Sequence, residues 1–554
     1  MNIYANTCNR NYSIHVILIP IIILLSVMNL HSKEVLNTRI NPISLTLDGE
    51  AIDGGWALDF DNRIDPLETT AREIIFASEV DTLKLILDVW ERQDVTIRTE
   101  EGNESTVRVT RISGNVFEHP DPKLLLRSES GLLSKEQAQF DINAMVYGLS
   151  QVHPDMFSVC RQDDFFKAIN QSLQTLPDSI STVDLYMKIS PVVSMIGDGH
   201  TSLKFPFNDL FTNELRRLPL AAKVNSDKSV ICNASIDSII PAGARILSIN
   251  GIGSEKIIDS MLPYASGEKE FTKVGMIDHL FSALYEVMYP AESYTIEYIT
   301  KHGDHTMSTV LPALTYDEIV GRMPSRRRSD KSEPYSYTVD KIHDVAILDF
   351  KSCVNPSKMK AFAESLFSEL RSEEINNLII DVRENGGGNS EVGDILLQYI
   401  SPIPFEQMEK SLVRITPLTR KLMGNDFAPL MFALYDTAED EYSLPRSVDA
   451  NHYNGNVYIL TSNRTFSSGS SFAWTFKECG AGIVIGEETG GMNVSFGDIV
   501  YYRLPVSGIY CSISYKRFWQ FKADEDDIHG TLPDIEVPAG EAMDRALEII
   551  QQSR

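Results

Sequence analysis

The 554-residue chain is 43% hydrophobic and 23% charged, close to globular averages, and its length suggests about three or four folded units. A formal net charge of -27 and a pI near 4.8 exclude a nucleic-acid partner, because phosphate-backbone affinity needs clustered Lys and Arg. Six cysteines without a C-x-x-C pair exclude the usual structural zinc spacings and a disulfide-dense scaffold, leaving isolated disulfides open.

The chain begins with Arg10 ahead of an apolar run from Ile14 to Leu30 and the polar His31-Ser32-Lys33-Glu34, a signal-peptide pattern over residues 1–32. No small-x-small cleavage site follows, and the run approaches the roughly 20 residues that span a bilayer, so a retained anchor is the alternative. Cys8 precedes the run, which leaves no lipid attachment site after it. Export to the periplasm, the cell envelope or the medium is expected, with membrane attachment through this segment alone.

Residues 33–120 alternate in short apolar runs such as Ser44-Leu45-Thr46-Leu47, Leu83-Lys84-Leu85-Ile86-Leu87 and Val107-Arg108-Val109, which predicts a small β-rich module. Over residues 130–210 the period becomes helical, with Phe140, Ile142, Met145, Val146 and Leu149, then Phe165, Phe166, Ile169 and Leu173, predicting three helices. The third ends in Gly197-Asp198-Gly199-His200-Thr201, where glycine stops the helix, and Ser202 to Phe205 reads as a strand. Residues 216–325 carry a Pro241-Ala242-Gly243 turn, a strand ending in Asn250-Gly251 and a following helix. That order resembles PDZ-like modules, which add a peptide strand to a sheet edge; an unrelated small β-barrel is the alternative.

Arg326-Arg327-Arg328 and the charged stretch Ser329 to Pro334 read as a solvated linker. Residues 335–548 then alternate strand and helix: Val345–Phe350, a helix over 357–371, Asn377–Asp381, a helix over 391–400, the strand of Tyr458, the helix of Phe472 and the strand Ile483–Gly486. The rhythm predicts an α/β domain with a mostly parallel sheet, whose ligands bind beyond the carboxyl ends of its strands.

Four loops carry candidate chemistry. Asn463-Arg464-Thr465-Phe466-Ser467-Ser468-Gly469-Ser470-Ser471 stands at a strand-to-helix turn that lifts a serine clear of a sheet, or merely caps the helix. Asp381-Val382-Arg383-Glu384-Asn385-Gly386-Gly387-Gly388 brings backbone N–H groups close to a ligand, or is a flexible turn. It is neither a Walker loop nor a dinucleotide fingerprint. His200 offers an imidazole between a helix end and a strand, and Asp526-Asp527-Ile528-His529-Gly530-Thr531-Leu532-Pro533-Asp534 offers carboxylates.

In order and type these segments resemble the carboxy-terminal processing and tricorn-core family of serine peptidases, over roughly Ser134 to Val537. The resemblance rests on Gly197 to Thr201, Pro241 to Gly251, Leu378 to Gly387, Thr465-Phe466-Ser467, Gly486-Glu487-Glu488-Thr489-Gly490-Gly491 and Gly530 to Asp534. It implies a crotonase/ClpP-like βαβ core with a helical segment before it, an inserted PDZ-like domain and polypeptide substrates. It implies a nucleophile at Ser467, preferred over Ser468, Ser470 and Ser471 by an ungapped count from Gly486-Glu487.

The lysine that activates serine in the tail-specific branch is replaced by Met492, so the resemblance points to the tricorn-like use of His200 with a carboxylate at Asp527, rivalled by Glu525 and Asp526. The acidic residue often found in the nucleophile helix is replaced by Ser470. A serine hydroxyl needs a base, and an imidazole suits that role near neutral pH. The N–H of Ser468 with that of Gly387 or Gly388 is expected to hold the oxyanion, and the chemistry calls for no metal or cofactor. The expectation is a serine endopeptidase. A catalytically silent binding protein on the same fold is the alternative, and a crotonase-like acyl-CoA enzyme fits poorly with export.

Overall fold

The computed structural model describes residues 33–553, apart from 40–42, 57–63, 70, 88–91, 112–116, 118–119, 212–213, 325–332, 424–432, 437–441 and 448–450. The apolar run at 14–30, the three arginines and most of the linker after them lie outside the described residues. The chain forms two compact units, residues 1–127 with 139–150 and residues 128–138 with 151–554.

In the first unit the apolar alternation produces two four-stranded sheets. One holds Lys33–Thr38, Arg92–Thr99, Glu104–Arg111 and Ile64–Thr69 in that order; the other holds Glu50–Trp56, Ile43–Leu47, Glu73–Ala77 and Thr82–Ile86. Because successive side chains point to opposite faces, Leu36, Ile74, Phe76, Val95, Ile97, Val107 and Val109 are all fully buried in a single core.

The second unit opens on helices. Gln162–Gln174 and Thr182–Ser194 follow the expected periodicity, and Ser181 caps the latter by accepting the Asp184 N–H. Gly197 then takes φ +74°, a left-handed conformation that ends the helical run and turns the chain toward His200. Next comes the inserted module, an antiparallel sheet ordered Leu220–Val224, Val230–Ser235, Arg245–Ile249, Ser293–Ile299 and Met307–Pro312, with helices Ser254–Met261 and Glu270–Met288.

The α/β core is a six-stranded sheet ordered Tyr335–Asp340, Val345–Phe350, Asn377–Asp381, Asn456–Thr461, Ile483–Gly486 and Ile535–Glu536. The first pairing is antiparallel and the rest are parallel. Helices Pro356–Ser372, Glu391–Ile400 and Ser468–Glu478 cover one face, burying Leu366, Leu396, Phe472 and Phe476 against Leu348, Ile380 and Ile459. Helix Ala542–Gln552 covers the other face, over Ile379, Leu460 and Ile485. Burial on both faces explains why these strands read as unbroken apolar runs.

A further sheet, absent from the sequence reading, pairs Ser202–Leu203 with Tyr510–Gln520, which also pairs Met408–Ile415 and Val494–Arg503. The expected strand from Ser202 to Phe205 is thus only Ser202–Leu203. Among the described residues, no helix is long and apolar enough to cross a membrane.

Candidate active site

Two adjacent parallel strands, Asn377–Asp381 and Asn456–Thr461, end side by side and release the glycine loop and the serine loop from the same edge of the sheet. Asn385, fully buried, ties the loops together. Its carbonyl accepts the Phe466 N–H at 2.9 Å, and its Nδ2 donates to the Phe350 carbonyl at 3.0 Å. A Cβ on Gly469 would lie 2.7 Å from the Asn385 carbonyl oxygen, so only glycine allows this approach.

Ser467 occupies the position before helix Ser468–Glu478 with φ 51° and ψ -131°, outside the regions open to a relaxed L-residue. Such a backbone costs on the order of 1–3 kcal/mol and is held only where its surroundings overdetermine it. Those surroundings are two glycine walls. A Cβ on Gly387 would sit 2.6 Å from the Ser467 Cβ, and one on Gly491 would sit 3.1 Å from the Ser467 nitrogen.

Helix capping does not explain this serine, because its side chain makes no capping hydrogen bond. The neighbouring hydroxyls are all engaged: Thr465 donates to the Val382 carbonyl, Ser468 to the Gly388 carbonyl, and Ser471 to the Ser467 carbonyl. Ser470 lies 2.7 Å from both Thr489 Oγ1 and the Gly491 carbonyl, so it joins helix Ser468–Glu478 to the Gly-Glu-Glu-Thr-Gly-Gly loop. Within the serine-rich turn, Ser467 alone keeps a hydroxyl without a hydrogen-bond partner among the described residues.

The backbone donors divide differently from the sequence reading. The Gly387 N–H donates to Asn385 Oδ1 at 2.9 Å and is therefore committed within its own loop, a correction to its expected oxyanion role. The N–H groups of Gly388 and Ser468 have no acceptor among the described residues. Ser468 opens an 11-residue helix, whose N-terminal end carries partial positive charge.

His200 reaches this site on the second sheet. Its loop is fixed by the pairing of Ser202–Leu203 with Cys511 and Ser512, by Ser512 Oγ donating to the His200 carbonyl at 2.8 Å, and by the Ser514 N–H donating to Thr201 Oγ1. The imidazole stacks on Phe466, the residue before Ser467, with ring centres 4.7 Å apart and planes at 27°. No hydrogen bond joins His200 to Ser467 in this structure. Such bonds are often open in a substrate-free site and close in the complex.

The carboxylate facing His200 is Asp198, whose Oδ1 lies 3.7 Å from Nδ1 and accepts the His200 backbone N–H at 2.8 Å. Asp198 is fully buried; its Oδ2 also accepts Ser514 Oγ at 2.7 Å and lies 3.3 Å from His153 Nε2. Burial alone would raise its pKa, but its contacts with His153 and His200 hold it well below the usual carboxylate range. For His200, burial disfavours the cation, and Asp198, aided by Glu268 and Asp498, outweighs that and raises the pKa above its ordinary value. Glu268, from the inserted module, accepts the Gly199 N–H at 3.2 Å; burial first, then the Asp198 charge, pushes its pKa up to about 7.

The expected orienting residue is elsewhere. Asp527 is 80% exposed and lies 3.8 Å from His529, not against His200. Its rivals fare no better as partners of His200: Glu525 accepts the Trp519 indole N–H at 2.8 Å, and Asp526 is exposed. In this run of four acidic residues like charges repel one another, and Asp526 and Asp527 face solvent. Met492 is buried, its carbonyl accepting Gln520 Nε2.

Of the residues singled out in the sequence, Ser467, His200 and the glycine loop are brought together through Phe466 and Asn385. Sequence reading quoted Asp198 inside a motif without assigning it a role, and it missed His153, Glu268 and the clamp at Asn385. A cavity of about 960 Å³ opens beyond the same strand ends, lined by Lys223, Phe271, Arg383, Glu384, Arg464 and Glu487 among others, but neither Ser467 nor His200 lines it. Its basic groups are internally paired, Arg464 with Asp278, Arg383 with Asp381 and Lys223 with Glu384.

Comparison with known proteins agrees with this geometry. Residues 342–537 match the model of peptidase family S41. The crystal structure of mature CPAF superposes with a TM-score of 0.51 at 15% identity, covering 76% of this chain and 96% of that one. A mutant of CPAF gives a TM-score of 0.54 at the same identity and coverage. A looser likeness, with a TM-score of 0.38 at 13% identity, is to the photosystem II D1 C-terminal processing protease, covering 74% of this chain and 97% of that one. The matched segment holds the glycine loop, the serine turn and the Gly-Glu-Glu-Thr loop, so the likeness to peptidase family S41 covers the serine side of this site.

Proposed function

We propose that the protein is an endopeptidase in which Ser467 attacks the peptide bond and His200, rather than a lysine, is the base. The observation that carries this reading is the single unbonded hydroxyl of Ser467, on a strained backbone, beside a ring stacked on the one histidine of the Gly-His loop. As Ser467 Oγ bonds to the carbonyl carbon, its proton passes to His200 Nε2, which returns it to the leaving amine; water then releases the acyl group from Ser467. The Ser468 and Gly388 N–H groups meet the negative oxygen, each donor contributing about 3 kcal/mol. Met492 supplies no alternative base, which supports the histidine assignment.

On this reading the inserted module, by its PDZ-like resemblance, engages substrate chains through a sheet edge. Export through the leading apolar segment is part of the same proposal, and N-terminal sequencing of protein recovered outside the cytoplasm checks it.

A fluorophosphonate probe tests the chemistry, since it loses fluoride to an activated serine. Labelling of the full chain should vanish in Ser467→Ala and fall steeply in His200→Ala. A folded wild type that never labels would instead support the silent binding protein, and loss of labelling in Ser468→Ala but not Ser467→Ala would refute the nucleophile.

A further inference from the structure

Behind His200 lies a buried histidine that the reaction as described does not use. His153 has no exposed surface, and its ring packs against Phe496 with centres 4.6 Å apart. Its Nδ1 accepts the Asp155 N–H at 3.1 Å, so the neutral ring carries its proton on Nε2. That Nε2 faces Asp198 Oδ2 at 3.3 Å, while the other oxygen of Asp198 faces His200 Nδ1 at 3.7 Å.

Resting on the His200-dependent reading above, we propose that Asp198, aligned from behind by the Nε2–H of His153, is the carboxylate that orients the catalytic imidazole. The chain His153–Asp198–His200 replaces the expected contribution of the acidic turn at 525–527, where Asp526 and Asp527 face solvent and Glu525 is held by the Trp519 indole.

The protons balance within this chain. His200 keeps a proton on Nδ1, directed at Asp198, which leaves Nε2 free to take the proton of Ser467. Asp198 stays ionised throughout, and His153 gives up nothing. The spacing of 3.7 Å is that of an ionic contact in a substrate-free site, which shortens to a hydrogen bond when the ring becomes cationic. Asp198 can serve because its remaining lone pairs are satisfied: Ser514 Oγ and the His200 N–H hold it from two other directions. A buried carboxylate stripped of such donors would take up a proton and lose its charge.

The groups facing the imidazole are Asp198, Glu268 and Asp498, with Phe466 stacked on its plane. Glu268 is the rival orienter, its Oε1 accepting the Gly199 N–H and its Oε2 buried without a partner among the described residues, but the carboxylate 3.7 Å from His200 Nδ1 is that of Asp198. Asp498 is held 2.8 Å from Lys516.

The test is the second-order rate of labelling by a fluorophosphonate over pH 5–9, on the full chain, with thermal melting as a check on folding. Asp198→Asn should slow labelling by roughly a thousandfold or more and move the acid limb of the profile to lower pH, because a negative charge beside His200 is gone. His153→Ala should slow it by roughly 10- to 100-fold, and His153→Gln, which retains an N–H donor, should recover most of the loss. Glu268→Gln should change the rate by less than about threefold.

If a folded Asp198→Asn labels at the wild-type rate with an unmoved acid limb, the inference is wrong. It is equally wrong if His153→Ala and His153→Gln both label like wild type, or if Glu268→Gln is the variant that collapses. An unlabelled wild type overturns the peptidase reading and this inference together, whereas a wild type labelled at Ser467 beside an unaffected Asp198→Asn overturns this inference alone.

Discussion

The serine side and the histidine side of the site are held by different physics. Ser467 is fixed sterically: two glycines press on it, the Asn385 clamp closes the loops, and the strained backbone has nowhere to relax. His200 is fixed electrostatically, by a buried carboxylate and its donors, on a sheet of its own. The serine side should therefore respond to volume and be indifferent to pH, and the histidine side should do the reverse.

The largest effect tests which residue the steric frame serves. Ser467→Ala should remove at least about 10³-fold of activity, read as fluorophosphonate labelling or turnover, while Ser470→Ala stays labelled. Next comes the frame itself. Gly387→Ala places a methyl 2.6 Å from the Ser467 Cβ at a residue with φ +99°, so it should lower activity by roughly 10²-fold or more with a reduced melting temperature. An unchanged rate in that variant would show that the loop yields, and the steric account would fail.

On the other side, with His200 as the proposed base and its pKa above the ordinary value, the labelling rate should fall as pH drops through a midpoint above about 6.5. Stability carries its own pH signature through Glu268. A carboxyl raised from 4.5 to about 7 binds an extra proton in the folded state. That contribution is complete below 4.5 and is lost as pH rises through 7, an amount of about 3 kcal/mol at most. Denaturant unfolding should show Glu268→Gln gaining stability over wild type at pH 8 and little at pH 4. The smallest effect belongs to the acidic turn, where Asp527→Asn should alter activity less than about twofold, since its side chain meets water and His529.

The legibility of these regions in sequence followed the same division. The parallel core could be read because Leu378-Ile379-Ile380 and Val457-Tyr458-Ile459-Leu460 are buried on both faces and leave unbroken apolar runs. The antiparallel sheet that delivers His200 could not, because its strand Val494–Arg503 breaks alternation at Gly497-Asp498, where Asp498 takes φ +49°. Ser467 was legible through its turn chemistry and its glycines. The carboxylate beside His200 was not, since the choice between Asp198 and Asp527 depends on which is buried, and spacing along the chain does not encode that. His153 left no mark at all, being one of 11 histidines with no motif around it.

The pairing of the histidine loop with the strand Tyr510–Gln520 also sets a timetable. His200 and Ser512, which holds its carbonyl, are 312 residues apart. At the usual elongation rate, roughly 15–60 s of synthesis separates them. During that interval the loop of His200 has no partner strand, and Ser467 is made long after His200. On the reading proposed above, the site therefore assembles only once that strand is made, and a truncation that removes the strand from Tyr510 onward leaves serine and histidine in one polypeptide but not in one site.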